Sequence, residues 1–220
     1  MIQSWHYGVL MAASYLIGGI PFGLIVARVK GVDLRAWGSG NVGATNVGRA
    51  LGRKWGVLVL LLDASKGAAC TFTAGFLTSR DATMTGTMRD YVWLGTAAAC
   101  VIGSIAPVYL RFKGGKGVAA SLGAVLGIYP YLTYSGLIDL LLWTVVVKAT
   151  RYISLGSIVA AICLPIVFVS LSVVMKWGLS EHVPLLGLCL TLAAMVLIRH
   201  RDNIRRLLTG TENKVGQPRV

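Results

Sequence analysis

The sequence predicts an all-α, polytopic integral membrane protein that forms a single domain over residues 1–220. Of the 220 residues, 55% are hydrophobic and only 13% are charged, whereas an ordinary soluble domain carries about twice that share of charge. Apolar stretches of near-spanning length recur along the whole chain. The basic residues, moreover, are concentrated in the connections between these stretches.

Seven apolar segments are predicted as membrane helices, two of them short. The fourth and fifth are the short ones, because Gly127 and Pro130 interrupt the apolar stretch and proline removes a helical hydrogen bond. No lysine or arginine precedes Arg28 and no cleavage-site pattern follows the first segment, so we expect it to be a retained span. The segments cover residues 7–29, 55–78, 91–110, 118–129, 132–148, 152–175 and 183–198.

The basic residues predict an outer N-terminus and a cytoplasmic C-terminus. Most of the 21 lysines and arginines lie after the first, third and fifth segments or in the tail from Arg199 to Arg219. The other side keeps only Arg80, Arg89 and Lys176. This distribution requires an odd number of crossings, and five crossings give the same sidedness if the fourth and fifth segments do not fully cross.

The net charge of +13 does not indicate a nucleic-acid-binding protein. Its basic residues are spaced between hydrophobic segments and do not form one basic domain interleaved with aromatic residues. The four cysteines lie in apolar stretches without CxxC spacing or partner histidines, so neither disulfides nor a metal site is predicted. Positive-inside bias and an anionic substrate together explain the excess of positive charge.

The first motif, Ser39-Gly-Asn-Val-Gly-Ala-Thr-Asn46, joins two apolar segments. Glycines let backbone amides crowd around an anion, and nearby basic side chains such as Arg49 supply charge. A G-x-G-x-x-G pattern starts at Gly38, but its flanks are membrane helices and not a βαβ unit. The alternative is a flexible turn. The candidate ligand residues of the first motif are Ser39, Gly40, Asn41, Gly43, Thr45, Asn46 and Arg49.

The second motif, residues 112–119, contains Lys113-Gly-Gly-Lys-Gly117. It lacks the Walker pattern, and a basic anchor at the membrane surface is the alternative interpretation. An anchor needs no glycines, however, whereas glycines beside lysine at a helix start suit phosphate oxygens. The candidates of the second motif are Lys113, Gly114, Gly115, Lys116 and Gly117.

The third motif runs from Arg199 to Lys214. Arg199, Asn203 and Arg206 have the spacing of one helical face, and His200 lies one turn from Asn203. A solvated basic helix end is the alternative. Within the second apolar segment, Asp63 and Lys66 are spaced to pair, and we expect a structural ion pair facing the cytoplasmic cavity.

Together the three motifs closely resemble the bacterial acyl-phosphate:glycerol-3-phosphate acyltransferase family, PlsY. The resemblance covers nearly the whole chain and includes the order of the motifs. It implies a multi-pass enzyme of the bacterial inner membrane whose site faces the cytoplasm. The enzyme would transfer a fatty acyl group from acyl phosphate to the sn-1 hydroxyl of glycerol 3-phosphate, without metal or cofactor. A separate peripheral enzyme, PlsX, would supply the donor.

On this interpretation we expect Ser39, Asn41, Lys116, His200 and Asn203 to act in catalysis and the remaining candidates to bind substrate. The chain departs from the family at Gly103-Ser-Ile-Ala-Pro107, where the family usually has Gly-His-x-x-Pro. Serine cannot serve as a base near neutral pH, so position 104 is predicted to be structural.

Two other classes of protein compete with this interpretation. A transporter of an organic phosphate would use similar basic loops, but it should show internal repeats, broken helices in both halves and ionisable residues at mid-membrane. A metal-dependent phosphatidyl transferase would need clustered aspartates on a helix. Only Asp63 and Asp139 lie within the apolar segments, and they are far apart in sequence.

Overall fold

The computed structural model describes residues 5–216, and these residues form helices and connecting turns without a strand. Arg219, which was counted among the inner basic residues, lies outside this range. The chain divides into two compact units, Met1–Tyr129 and Pro130–Val220. The boundary coincides with Pro130, one of the two residues predicted to interrupt the apolar stretch.

The first unit contains six α-helices: α1 Trp5–Gly19, α2 Phe22–Val29, α3 Ala44–Leu51, α4 Arg53–Ser79, α5 Gly86–Ile105 and α6 Val118–Leu126. Small residues let these helices approach closely, as is usual where lipid provides no hydrophobic drive for association. A methyl group on Gly18 of α1 would overlap the Cys100 carbonyl of α5, and one on Gly67 of α4 would overlap the Ala120 carbonyl of α6.

The second unit contains four α-helices: α7 Tyr131–Thr150, α8 Ile153–Val174, α9 Val183–Arg199 and α10 Arg201–Leu208. The Trp143 indole of α7 donates a 3.3 Å hydrogen bond to the Ser157 hydroxyl of α8. Phe168 and Leu185 are fully buried where α8 and α9 pack together.

Six stretches of the described chain are long and apolar enough to cross a membrane: Trp5–Val29, Arg53–Ser79, Gly86–Leu110, Tyr131–Thr150, Ile153–Val174 and Leu179–Arg199. Each corresponds to a predicted segment within a few residues. The all-helical membrane class is therefore confirmed. The fifth predicted segment is not short, because α7 has 20 residues and reaches about 30 Å at 1.5 Å per residue.

The remaining predicted segment contains α6, which has only nine residues and is about 14 Å long. Its length alone does not cross a bilayer, so the seventh crossing stays a prediction. The expected break between the fourth and fifth segments is present, since α6 ends at Leu126 and α7 begins at Tyr131. A second break divides the first span between Gly19 and Phe22, where Pro21 lacks the amide hydrogen that a continuous helix needs.

Candidate functional site

The first motif folds into a compact loop organised by Asn46, whose side chain is only 2% exposed. Its amide nitrogen donates to the Leu34 carbonyl at 3.1 Å and to the Trp37 carbonyl at 2.9 Å. Its oxygen accepts a 3.2 Å bond from the Ser39 backbone amide. These bonds engage both amide hydrogens, so Asn46 shapes the loop and does not present a free amide to a ligand. The sequence-based role of Asn46 as a substrate ligand is corrected accordingly.

An apolar cluster lies beneath this loop and fixes it to the membrane helices. It comprises Ala27 of α2, Leu34 before the loop, Val47 of α3 and Val59 of α4. Since these side chains are essentially inaccessible, they hold the backbone of the loop at one end of the helices. The sequence of the loop then supplies the polar groups above that base.

The catalytic candidates Ser39 and Asn41 differ in their surroundings. Ser39 is exposed at the loop surface. The Asn41 side-chain oxygen accepts a 2.9 Å bond from the Gly43 amide and closes a short turn. The Gly40 amide bonds the Trp37 carbonyl at 2.9 Å. The amides of Gly40 and Gly43, expected to face an anion, are thus used within the loop.

The loop leads into the N-terminus of α3. Gly43 precedes this helix in an extended conformation, Thr45 lies in its first turn and Arg49 in its last turn. The amides of a first helical turn have no intrahelical acceptor, and the helix dipole adds partial positive charge there. This end of α3 is therefore electrostatically suited to an anion.

The second motif forms a tight turn that ends at the start of α6. The Gly114 amide donates to the Ile105 carbonyl and the Gly115 amide to the Ser104 carbonyl, both at 3.1 Å. These two glycine amides therefore close the turn and do not point to a phosphate, which corrects the expectation for them. Ser104 takes part in this turn through its backbone carbonyl, so the structural role predicted for its side chain stays a prediction.

Gly117 directly precedes α6 and has a left-handed φ of 77°. A methyl group there would lie 2.9 Å from the Ile105 Cγ1 atom, so glycine is required for both conformation and space. The half-buried Lys116 precedes it, whereas Lys113 is exposed. The amides of the first turn of α6, beginning at Val118, lie next to these two lysines in the sequence, and such a helix end is electrostatically suited to an anion.

The first and second motifs meet within the first unit. The Arg35 guanidinium donates a 2.8 Å bond to the Lys113 carbonyl. On the buried side, a methyl group on Gly115 would lie 3.6 Å from Val42 Cγ2 and 3.8 Å from Asn41 Oδ1. Two segments more than 60 residues apart in sequence thus form one continuous polar surface.

In the second unit, the third motif begins where α9 ends. His200 is 3% exposed, and its Nδ1 lies 2.8 Å from the Val196 carbonyl oxygen. Because a carbonyl can only accept, Nδ1 carries the proton in this hydrogen bond. The bond fixes the tautomer and the orientation of the imidazole ring.

Glu212 organises the other polar residues of the third motif. Its Oε1 accepts hydrogen bonds from the Asn203 amide at 2.7 Å and from the Ser154 hydroxyl of α8 at 2.8 Å. Its Oε2 accepts a 2.6 Å bond from Arg206 Nε. Burial raises the pKa of Glu212, but the hydrogen bonds from Asn203, Arg206 and Ser154 and the charge of Arg206 outweigh it. The pKa therefore lies below its ordinary value.

The predicted single helical face of the third motif is only partly present. The helix is interrupted at His200, between α9 and α10, and Arg199 is exposed at the end of α9. Asn203 is buried and Arg206 half-buried on α10. The Glu212 carboxylate, and not helical spacing alone, joins these last two side chains.

Two contributing residues, Glu212 and Ser154, were not predicted from the sequence, and both support the third motif. Arg35 belongs to the basic side chains around the first motif, and it bridges the first two motifs. The strongly basic tail contains two carboxylates, Asp202 and Glu212, and nothing in the local sequence distinguishes Glu212 from Asp202. Glu212 and Ser154 are 58 residues apart in the sequence, and the periodicity of apolar residues does not predict a contact between side chains so far apart.

These features define a class: a helical integral membrane protein whose glycine-rich loops and basic side chains adjoin the N-termini of short helices, which are electrostatically suited to anions. The family model for glycerol-3-phosphate acyltransferase matches residues 8–210. The chain therefore belongs to the glycerol-3-phosphate acyltransferase family. It is 43% identical over 208 residues to the glycerol-3-phosphate acyltransferase of Geobacter sulfurreducens, covering 94% of this chain and 96% of the relative.

The glycerol-3-phosphate acyltransferase of Aquifex aeolicus is 42% identical over 205 residues, covering 93% and 97% of the two chains. Among solved structures, the chain is similar to the crystal structure of PlsY, an integral membrane glycerol 3-phosphate acyltransferase, in its glycerol 3-phosphate form. The TM-score is 0.82 at 41% identity, with 96% of each chain covered. For the lysophosphatidic acid form of PlsY, the TM-score is 0.80 at 40% identity, again with 96% of each chain covered.

Proposed function

We propose that this protein transfers a fatty acyl group from acyl phosphate to the sn-1 hydroxyl of glycerol 3-phosphate. The products are lysophosphatidic acid and inorganic phosphate, and the reaction is the first committed step of phospholipid synthesis. The observation that carries the proposal is the junction of the first two motifs, where Asn41 and Val42 meet the glycine turn of Lys113 to Gly117. The match to PlsY with glycerol 3-phosphate, at 41% identity over 96% of the chain, supports the acceptor.

On this proposal residues 1–220 form one membrane-embedded acyltransferase domain, and the substrate ligands come from all three motifs. Arg49, Lys116, His200 and Asn203 hold glycerol 3-phosphate, helped by Ser39. The contributions of Thr45, Arg199 and Arg206 are charge and polar contacts at the rim. The acyl chain of the donor lies between helices and opens to the bilayer.

The donor phosphate is held by Lys113 together with the amides at the start of α6. The amides of Asn41 and Val42 stabilise the oxyanion that develops on the acyl carbonyl. Gly40, Gly43, Gly114, Gly115 and Gly117 serve by shaping the two loops, and Asn46 by fixing the first of them.

In the reaction the sn-1 hydroxyl oxygen attacks the acyl carbonyl carbon and forms the ester bond. The bond between that carbon and the phosphate oxygen breaks, and phosphate leaves with the electron pair. A phosphate oxygen of the substrate accepts the hydroxyl proton. Because acyl phosphate is an activated anhydride, orientation and charge neutralisation carry most of the catalysis, without a covalent acyl-enzyme, metal or cofactor.

We place the enzyme in the bacterial inner membrane with its N-terminus outside and its motifs in the cytoplasm. The distribution of lysine and arginine supports this orientation. Six spans and one further crossing make seven, so α6 and the residues that flank it must together form the seventh membrane crossing. A cytoplasmic site would receive acyl phosphate from PlsX at the membrane surface.

The organic-phosphate transporter is retained as the second candidate, because the first span is broken at Pro21 and the Asp63–Lys66 ion pair of α4 lies beside that break. Such features occur in transporters. Membership of an acyltransferase family favours the enzyme. The two candidates differ in whether a new ester is made.

The test uses purified protein with labelled glycerol 3-phosphate and either palmitoyl phosphate or palmitoyl-CoA. Labelled lysophosphatidic acid with palmitoyl phosphate alone is the expected result. Product with palmitoyl-CoA alone would overturn the donor assignment. If neither donor gives product and protein-containing vesicles accumulate glycerol 3-phosphate, the transporter replaces the enzyme.

A further inference from the structure

The break in the first membrane span exposes backbone carbonyls that a continuous helix would use. Helix α1 ends at Gly19 and α2 begins at Phe22. The Ile20 carbonyl between them accepts a 3.1 Å bond from the Phe22 amide. It also accepts a 3.1 Å bond from the ammonium group of Lys66, which belongs to α4. A side chain from another helix thus supplies a donor at the break.

Lys66 is buried, with a relative exposure of 6%, and its charge is balanced by Asp63. The Lys66 Nζ atom lies 2.7 Å from Asp63 Oδ1, which confirms the predicted pair. The C-terminal end of a helix carries partial negative charge, so an ammonium group at the end of α1 is favourable there. A buried charge also needs a partner, which the aspartate provides.

Helix α2 connects the break in the first span to the first motif. Its Gly23 packs directly on the loop, where a methyl group would overlap the Val42 carbonyl oxygen and lie 3.3 Å from Val47 Cγ2. Val42 lies between Asn41 and Gly43. The direction in which α2 leaves the break therefore determines where the Asn41–Val42 amides sit.

The same turn of α4 also holds the second motif. Gly67, next to Lys66, lies against the Ala120 carbonyl of α6, and Gly123 of α6 lies against the Ala64 carbonyl. Helix α6 begins directly after Lys116 and Gly117. Residues 63–67 of α4 therefore contact the supports of both motifs.

We propose that Lys66, held by Asp63, is a positioning residue for acyl transfer. By bonding the Ile20 carbonyl it fixes the angle between α1 and α2, and with it the spacing of the first motif from the second. Lys66 acts through these elements and does not touch substrate. The inference rests on the proposed function, in which these two motifs hold the reacting groups.

The test compares three variants. The double variant Asp63→Asn with Lys66→Met removes both charges and the bond to Ile20 without leaving a lone buried charge. Lys66→Arg keeps a cation that reaches the same carbonyl. Ser65→Ala, an exposed position in the same turn, is the matched control. Each is assayed for kcat with saturating palmitoyl phosphate and glycerol 3-phosphate, and for amide hydrogen exchange by mass spectrometry.

We expect the double variant to be folded, with kcat at least tenfold lower and faster exchange confined to residues 20–25 and 39–46. Exchange in α5 should be unchanged, Lys66→Arg should recover most of kcat, and Ser65→Ala should match the wild type. A folded double variant with wild-type kcat and exchange would overturn the proposal. A double variant that fails to fold would also overturn it, in favour of a purely structural pair. If the wild type makes no lysophosphatidic acid, the proposed function is wrong. The hydrogen-exchange data would still test whether Lys66 positions residues 20–25 and 39–46.

Discussion

Asn203 and Glu212 are joined by a 2.7 Å hydrogen bond between the Asn203 amide nitrogen and the Glu212 Oε1 atom. Because a carboxylate can only accept, the amide nitrogen of Asn203 faces Glu212 and the side-chain oxygen of Asn203 faces away from this carboxylate. Arg206 is bonded to the other carboxylate oxygen. One buried anion thus sets the orientation of two residues assigned to the substrate.

Replacing Glu212 by glutamine should lower activity at least tenfold. The amide keeps the size of the side chain but loses the charge that faces Arg206, and a hydrogen bond to a charged group contributes about 1.5–3 kcal/mol. The measurement is kcat/KM for glycerol 3-phosphate, together with the melting temperature in detergent. Glu181→Gln, at an exposed position, is the control. Equal activity of the two variants would show that the carboxylate is dispensable.

The same residue predicts a pH dependence of stability. Because the folded-state pKa of Glu212 is lowered, its contribution is fully present above the ordinary glutamate pKa of about 4.3. The contribution is lost as the pH falls through the lower folded-state value. Melting temperatures measured from pH 7 down to pH 3 should therefore decline more steeply in the wild type than in Glu212→Gln. Parallel curves would assign the acid sensitivity to other groups.

Replacing Asn46 by alanine should disorder the first motif. Three backbone groups lose their partner, and at about 1 kcal/mol for each hydrogen bond the variant should be about 2–3 kcal/mol less stable. Hydrogen exchange at residues 39–46 should accelerate, and kcat should fall even at saturating glycerol 3-phosphate. If raising glycerol 3-phosphate restored the full rate, Asn46 would instead be a direct ligand.

Replacing Lys116 by alanine should reduce glycerol 3-phosphate turnover at least tenfold while the protein stays folded. Loss of one charge-assisted phosphate contact costs about 1.5–3 kcal/mol, and 1.4 kcal/mol already corresponds to a factor of ten. Kinetics of Lys116→Ala are compared with those of Lys176→Ala, an exposed lysine outside the motifs. Unchanged kinetics for Lys116→Ala would remove this lysine from the site.

The membrane helices could be predicted because a stretch of about 20 mostly apolar residues is by itself the signal for a membrane span. Local composition also located the first two motifs, since glycine next to lysine or asparagine is conspicuous between apolar helices. The break at Pro21 was signalled by the proline, yet the surrounding hydrophobicity favoured one continuous segment over 7–29. Hydropathy shows that residues 7–29 are apolar enough for the membrane, but it does not show whether they form one continuous helix.

The roles of Asn46, Gly114 and Gly115 could not be predicted because residue type does not show where a hydrogen bond is directed. An asparagine in a loop can bind a ligand or its own backbone, and here the Leu34 and Trp37 carbonyls use both of its donors. Glu212 depends on a partner in α8 that only the folded chain brings near. Such choices are made by tertiary structure.

The tail of the second unit returns to the connection between α7 and α8. The Val215 amide donates a 2.7 Å bond to the Arg151 carbonyl, and Arg151 donates a 2.9 Å bond back to the Val215 carbonyl. During biosynthesis, all membrane helices of this unit leave the ribosome before Glu212 and Val215 do. The hydrogen bond between Asn203 and Glu212 can therefore form only after the last membrane helix has been synthesised.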